Sequence, residues 1–141
     1  MKIKNYQINA LVELLYPLPL KGANSRLRTK FLSNLMIHQK EYVLKHESEL
    51  QLQYAERDIH GEIVYLDEEK TKFKVDPEFF KEKEILLNEE YIFDLNESNK
   101  ITLLFISELL LEGDFEIAGD SAFYYEYWCE EAERVIDYYN K

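Results

Sequence analysis

The chain has 141 residues, of which 46% are hydrophobic and 14% aromatic, and its formal net charge is −11. This length suits one domain with a real core, and the apolar content argues against a disordered chain. The single cysteine, Cys129, excludes an internal disulfide and suits a reducing cytoplasm. No apolar run is long enough to span a membrane, and the first residues do not form a secretory signal.

The charges are unevenly distributed along the chain. Residues 1–46 hold eight Lys or Arg against two Glu, so the acidic excess lies in the remainder. We favour pairing of the basic and acidic halves within one chain, since surface charge mostly tunes solubility and association. Head-to-tail self-assembly and a charged partner are the alternatives. Direct binding of nucleic acid is not expected from a chain this acidic.

Apolar spacing predicts a single helical domain over residues 1–141. A first helix is predicted over residues 5–16, and Pro17 ends it because proline lacks a backbone donor. A long helix follows over residues 24–57, with an N-cap at Asn24 or Ser25. Its first half has a broad apolar face, whereas its second half is polar and is expected to bend near residue 46 or to project.

Alternating apolar and polar residues then predict one β-hairpin at about 62–75. Asp76 is expected to cap the helix that follows, and the inner face of that helix is predicted at Phe80, Leu87 and Tyr91.

The last two helices are predicted to supply much of the core. Residues 101–111 are apolar nearly all round, which is typical of a central helix. The final helix starts near Gly119, and its core stripe is Tyr125, Trp128, Ala132, Val135 and Tyr139. The sequence therefore predicts a mainly α fold (α+β by a strict count), a bundle of about five helices around the long one with a β-hairpin insertion.

Two charged surfaces and two tyrosines form the candidate interaction surface. At the start of the long helix three cations stand within two turns, where they oppose the helix macrodipole and would suit an anionic group. On the final helix four acids at helical spacing form one outer row, beside aromatic residues that cannot all point inward. The candidate residues are Arg26, Arg28, Lys30, Tyr124, Tyr127, Glu126, Glu130, Glu133 and Asp137.

Catalytic signals are weak. No nucleophile elbow, dinucleotide fingerprint or phosphate loop is present, and Cys129 stands beside acids that raise a thiol pKa. No catalytic residue, cofactor or metal ligand is therefore assigned, and catalysis is not expected. One alternative is a small metal-dependent enzyme that uses Glu41, Glu56, Asp58 and His60.

Three passages carry a family resemblance: Lys2-Ile3-x-Asn5-x-Gln7 with Leu18-x-Leu20-Lys21-Gly22, the run Asn24–Leu32, and Tyr54-Ala55-Glu56-Arg57-Asp58 with Gly61. They resemble small uncharacterised proteins encoded by phages and prophages of Gram-positive bacteria. The resemblance implies a cytoplasmic accessory protein made in the bacterial host cell, and it brings no catalytic residues. The expected function is binding of another protein, phage or host, or of its own copies as a homo-oligomer. The alternative is an acidic inhibitor of a host nucleic-acid-acting or defence enzyme.

Overall fold

One long helix runs through the structure, as predicted, and the other elements pack along it. The computed structural model describes residues 1–141, and 62% of them are helical. Five helices and a β-hairpin are present, counting α2 and α3 below as one helix, so the mainly α class is confirmed. In chain order the elements are β1 (Lys2–Lys4), a 3₁₀ turn (Asn5–Gln7), α1 (Ile8–Leu15), α2 (Gly22–His38), a π-helical turn (Gln39–Val43), α3 (Leu44–Gln53), α4 (Glu78–Asn88), β2 (Glu90–Ile92), α5 (Lys100–Glu112) and α6 (Asp120–Tyr139).

The π-helical turn joins α2 to α3 in one continuous helix. Within it the Leu44 N–H donates to the Gln39 carbonyl, five residues back instead of four. The irregularity therefore lies a few residues before the predicted bend. At the other end the helix begins at Gly22, whose φ of 54° turns the chain into the helix early. Asn24 and Ser25 consequently lie inside the first turn, so the predicted N-cap is wrong.

The apolar helix α5 is central as predicted, since it packs against both α2 and α6. The core cluster of 15 buried residues draws on β1, α1, α2, α5 and α6 and takes none from α3 or α4. The predicted stripe of α6 enters this cluster through Trp128, Ala132 and Val135. Phe31 of α2 stacks on Phe93, with ring centroids 4.6 Å apart. None of the helices is both long and apolar enough to cross a membrane.

A two-stranded sheet that was not predicted ties the first residues to the middle of the chain. β1 pairs antiparallel with β2, in a register that sets Lys2 opposite Ile92 and Lys4 opposite Glu90. The Met1 amine donates to the carbonyl of residue 93 at 2.9 Å and extends the ladder. Each strand has three residues, which is too short to show a period in the sequence.

Residues 54–76, named the arm, connect α3 to α4 and contain the predicted hairpin. Tyr65 pairs antiparallel with Phe73. Between them Asp67 closes the turn, because its Oδ1 accepts the Thr71 and Lys72 N–H groups at 2.9 and 3.0 Å. The arm therefore has the predicted turn at its polar connection.

The helix α4 packs on α3, outside the core cluster. Asp76 Oδ1 accepts the Glu78 N–H at 2.9 Å, but the N-cap position of the helix is Pro77, so the predicted N-cap is wrong by one residue. Its inner face is set by Phe79 and Leu86, which are buried, whereas Phe80 is 60% exposed. The predicted face is therefore wrong by one residue. Two adjacent phenylalanines have the same hydropathy, so spacing alone could not choose between them.

Candidate functional site

The outer face of α6 carries a stripe of exposed acids with one aromatic residue. The acidic stripe consists of Phe123, Glu126, Glu130, Glu133 and Asp137, which follow one another at three- and four-residue spacing. All five side chains are exposed, and the exposed fraction of Phe123 is 78%. None of the four carboxylates belongs to an ion pair. The repulsion between these like charges is therefore uncompensated within the chain.

Arg134 does not neutralise the acidic stripe. It follows Glu130 by four residues, the spacing of an ordinary helical pair, but its Nη1 donates to Glu131 Oε1 at 2.6 Å instead. Glu131 is only 4% exposed, and its Oε2 accepts the Lys2 N–H at 3.2 Å. This buried carboxylate was not predicted. Its place three residues after Trp128, on the core side of the helix, is the signal that could have revealed it.

The predicted tyrosines, Tyr124 and Tyr127, lie beside the acidic stripe and are half-buried. Tyr124 packs edge-on against Tyr6, with ring centroids 5.4 Å apart. Burial, together with the charge of Glu131, raises the pKa of Tyr127 to about 12. Both rings are thus engaged in holding α6 in place, and Phe123 is the neighbouring aromatic side chain that remains open to a partner.

The three cations at the start of α2 do not act together. Arg28 is half-buried, and its Nη1 donates to the carbonyls of Leu15 and Leu18, where α1 ends and the connector begins. Arg26 and Lys30 are exposed and belong to no ion pair. Because α2 contains no Asp or Glu, these two cations have no acidic neighbour on their own helix.

Arg26 and Lys30 border an open hollow between α2 and α5, named the α2–α5 hollow. Its volume is about 330 Å³, and it is lined by Ala23, Arg26, Leu27, Lys30 and Ile101. The four residues from α2 follow helical spacing, so they lie along one face of that helix. Ile101 is 71% exposed although it belongs to the central helix. An apolar floor between two cations suits a partner that offers an apolar group and carboxylates.

Pairing of the basic and acidic surfaces within one chain is wrong for these two helices. α2 and α6 each pack against α5, and no ion pair joins them. Both helices use their packed faces against the central helix, and their charged faces remain without ion pairs to each other. The ion pairs that do form are Lys4–Glu90, Lys74–Glu56, Lys81–Glu78, Lys83–Glu47 and Arg134–Glu131.

The residues of the metal-dependent alternative are not brought together. Asp58 serves a turn of the arm, where its Oδ1 accepts the His60 N–H at 2.8 Å. Glu56 pairs with Lys74 at 3.4 Å, and Glu41 is exposed on the π-helical turn. No three His, Cys, Asp or Glu side chains group closely enough to hold a metal ion. This alternative has no geometric support.

A histidine links α2 to the 3₁₀ turn that follows β1. His38 Nε2 lies 2.8 Å from Asn5 Oδ1, and its ring stacks on Tyr42 with centroids 5.0 Å apart. Burial lowers the pKa of His38, against a smaller opposing effect of the Glu89 charge. The hydroxyl of Tyr42 donates to that carboxylate at 3.0 Å. The imidazole therefore favours its neutral form and serves packing.

Comparison of the chain with family models, with curated proteins and with solved structures finds no match. What the protein does must therefore be inferred from its own surfaces. The acidic stripe and the α2–α5 hollow are two surfaces that carry unpaired charge beside exposed apolar groups.

Proposed function

We propose that this protein is a phage or prophage accessory protein that acts in the cytoplasm of the bacterial host cell by binding another protein, without catalysis. The observation that supports binding is the acidic stripe, in which four carboxylates without ion pairs follow the exposed ring of Phe123 along one helix face. A buried aromatic anchor supplies much of the affinity of a protein interface, and surrounding charges supply specificity and association rate. The partner surface is therefore basic and contains an apolar recess.

The same stripe supports a second candidate, an acidic inhibitor of a host nucleic-acid-acting or defence enzyme. From Glu126 to Asp137 the carboxylates of the stripe extend over roughly 16 Å, at about 1.5 Å per residue. A row of carboxylates of this length suits a basic groove that otherwise holds a phosphate backbone. Both candidates require a basic partner, and they differ in whether that partner is an enzyme of this kind.

The experiment compares two variants that each lose four carboxylates. The stripe variant replaces the acids of the acidic stripe, and the control variant replaces exposed acids of α3 and the arm that belong to no ion pair. Each is used as bait in a bacterial lysate, and self-association of the pure proteins is followed by light scattering. The stripe variant is Glu126→Gln, Glu130→Gln, Glu133→Gln and Asp137→Asn, and the control is Glu49→Gln, Glu62→Gln, Glu68→Gln and Glu69→Gln.

A basic partner, either a second protein or the chain itself, is expected to bind the wild type and the control and to be lost with the stripe variant. Equal binding by all three proteins would overturn the proposal. The inhibitor candidate adds one expectation, that a nucleic acid ligand of the captured enzyme displaces this protein. Simultaneous binding of both ligands would count against that candidate.

A further inference from the structure

The α2–α5 hollow has the features that the acidic stripe requires of a partner. Its floor is apolar, with Leu27 and the 71% exposed Ile101, and its edge carries Arg26 and Lys30. Neither cation has an acidic partner in the chain, and because they stand four residues apart on one helix their like charges repel each other. This arrangement does not stabilise the isolated chain, whereas an acidic ligand would make it favourable.

We infer that the occupant of the α2–α5 hollow is the acidic stripe of a second copy of this chain, an assignment that rests on the proposed function. The ring of Phe123 enters the hollow against Leu27 and Ile101. Glu126 and Glu130, the first two acids after it, meet the two cations. Both surfaces run along exposed helix faces, so two helices can lie against each other without a change of backbone.

The contact joins two different surfaces of the chain, so it is heterologous. Within one molecule no ion pair joins the two surfaces, and α2 and α6 each pack against α5. A copy that is bound through its acidic stripe still has a free α2–α5 hollow, and a copy that is bound through its hollow still has a free stripe. Such contacts add copies head to tail and produce either a closed ring or an open chain.

Two variants separate the two sides of this contact. The hollow variant, Arg26→Glu with Lys30→Glu, reverses the charge of the hollow and keeps the stripe intact. The anchor variant, Phe123→Ala with Glu130→Gln, weakens the stripe and keeps the hollow intact. A control variant, Lys45→Glu with Lys72→Glu, reverses two exposed cations outside the hollow that belong to no ion pair. All substituted side chains are exposed, so each variant is expected to unfold at the wild-type temperature.

Sedimentation velocity provides the test. The wild type and the control are expected to form species larger than a monomer as concentration rises, and each of the other two variants to stay monomeric. In an equimolar mixture, the intact stripe of the hollow variant can bind the intact hollow of the anchor variant, so each pair of molecules can form one contact. The mixture is therefore expected to form dimers and to stop there.

A monomeric wild type, an associating hollow variant, or a mixture that stays monomeric would each overturn the inference. The proposed function is decided separately, by the lysate experiment. If the wild type captures a basic partner that the stripe variant loses, but the pure wild type is monomeric, the proposed function is retained and self-association is rejected. If every variant keeps the captured partner and also self-associates like the wild type, the proposed function and this inference are both rejected.

Discussion

Two arginines on the first turns of α2 are chemically identical but have different roles. Arg28 points toward the end of α1 and donates to two backbone carbonyls there, whereas Arg26 faces solvent beside the α2–α5 hollow. The sequence shows both as members of one basic cluster. Which arginine donates to the backbone of α1 depends on where α1 ends relative to α2. The spacing of residues along one helix does not reveal the position of a neighbouring helix.

Replacing Arg28 with alanine is expected to lower the free energy of unfolding by about 1–2 kcal/mol. The carbonyls of Leu15 and Leu18 lose a charged donor in a half-buried position. Arg26→Ala is the matched control, with an expected change within about 0.5 kcal/mol because the side chain is exposed and unpaired. Urea unfolding of the two variants beside the wild type measures the difference. Equal losses at the two positions would contradict the structural role of Arg28.

The pH dependence of stability is expected to contain a contribution from His38. Its pKa in the folded chain lies below the ordinary value of 6.5, because burial disfavours the charged ring. The unfolded chain therefore binds a proton first as the pH falls, so the contribution is present above about pH 6.5 and is lost in mildly acidic solution. Asn5, Tyr42, Tyr91 and Glu89 surround this ring, and the carboxylate only partly offsets burial.

The variant His38→Gln isolates this contribution from that of the carboxylates. The stability of the wild type relative to the variant is expected to shrink between about pH 7.5 and about pH 5, because glutamine does not titrate. Urea unfolding at several pH values gives this difference directly. A difference that stays constant over the range would show that His38 does not titrate at a lowered pKa in the folded chain.

At the scale of elements, hydrophobic spacing predicted the long segments and failed on the short ones. The stripe of α6 and the apolar sequence of α5 each repeat over three turns or more, so the period determines which face is buried. β1 and β2 have three residues each, and no period can appear in so short a segment. Their pairing also depends on residues far apart in the chain. A local pattern therefore could not have indicated it.

The π-helical turn was also beyond prediction, since one extra residue leaves no mark in the composition of a helix. Gln39–Val43 has the same kind of residues as the regular helix on either side. One widened turn accommodates the extra residue, so the spacing of apolar residues does not mark its place. The irregularity therefore lies a few residues before the bend predicted near residue 46.

Deleting Lys40, an exposed residue of the π-helical turn, is expected to be tolerated. A π-turn holds one residue more than an α-turn, so the deletion converts it to regular helix and the flanking side chains keep their orientation. The expected loss in free energy of unfolding is below about 1 kcal/mol. Asn34 is also exposed but lies within regular helix. Its deletion rotates the helix on one side of the deleted residue by about 100° relative to the other side, and so displaces Leu35 or Phe31 from the core.

Thermal and urea unfolding of both deletions test this contrast. The Asn34 deletion is expected to cost at least about 3 kcal/mol, in the range of a large core substitution. Similar losses for the two deletions would show that the π-helical turn does not act as a removable insertion.

At the scale of the whole molecule, the sequence predicted where the charged surfaces lie but not which charges form ion pairs. A net charge of −11 and a basic first third predicted two opposite surfaces, and both exist as exposed helix faces. Their internal pairing was expected because opposite charges attract. The prediction failed because α2 and α6 each pack against α5 and form no ion pair with each other, and the packing partners of a helix cannot be obtained from composition.

Amide hydrogen exchange is expected to divide the molecule into two parts. The 15-residue core cluster excludes α3 and α4, and α3 has no buried residue. Amides of α3 and the arm are therefore expected to exchange through local opening, roughly tenfold or more faster than those of α5 and the middle of α6. The control is the part of α2 from Phe31 to Leu35, which shares the long helix but packs in the core. Equal protection along the whole of the long helix would contradict this division.

The pairing of β1 with β2 has a consequence for the order in which the chain can fold. The hydrogen bond between the Met1 amine and the carbonyl of Phe93 spans 92 positions, and that between Lys2 and Glu131 spans 129. Closing such long loops is slow, since entropy is lost before any contact is gained. During synthesis the first residues leave the ribosome long before their partners exist. Ile3, which is fully buried in the finished protein, therefore has no strand partner until Tyr91 has been synthesised.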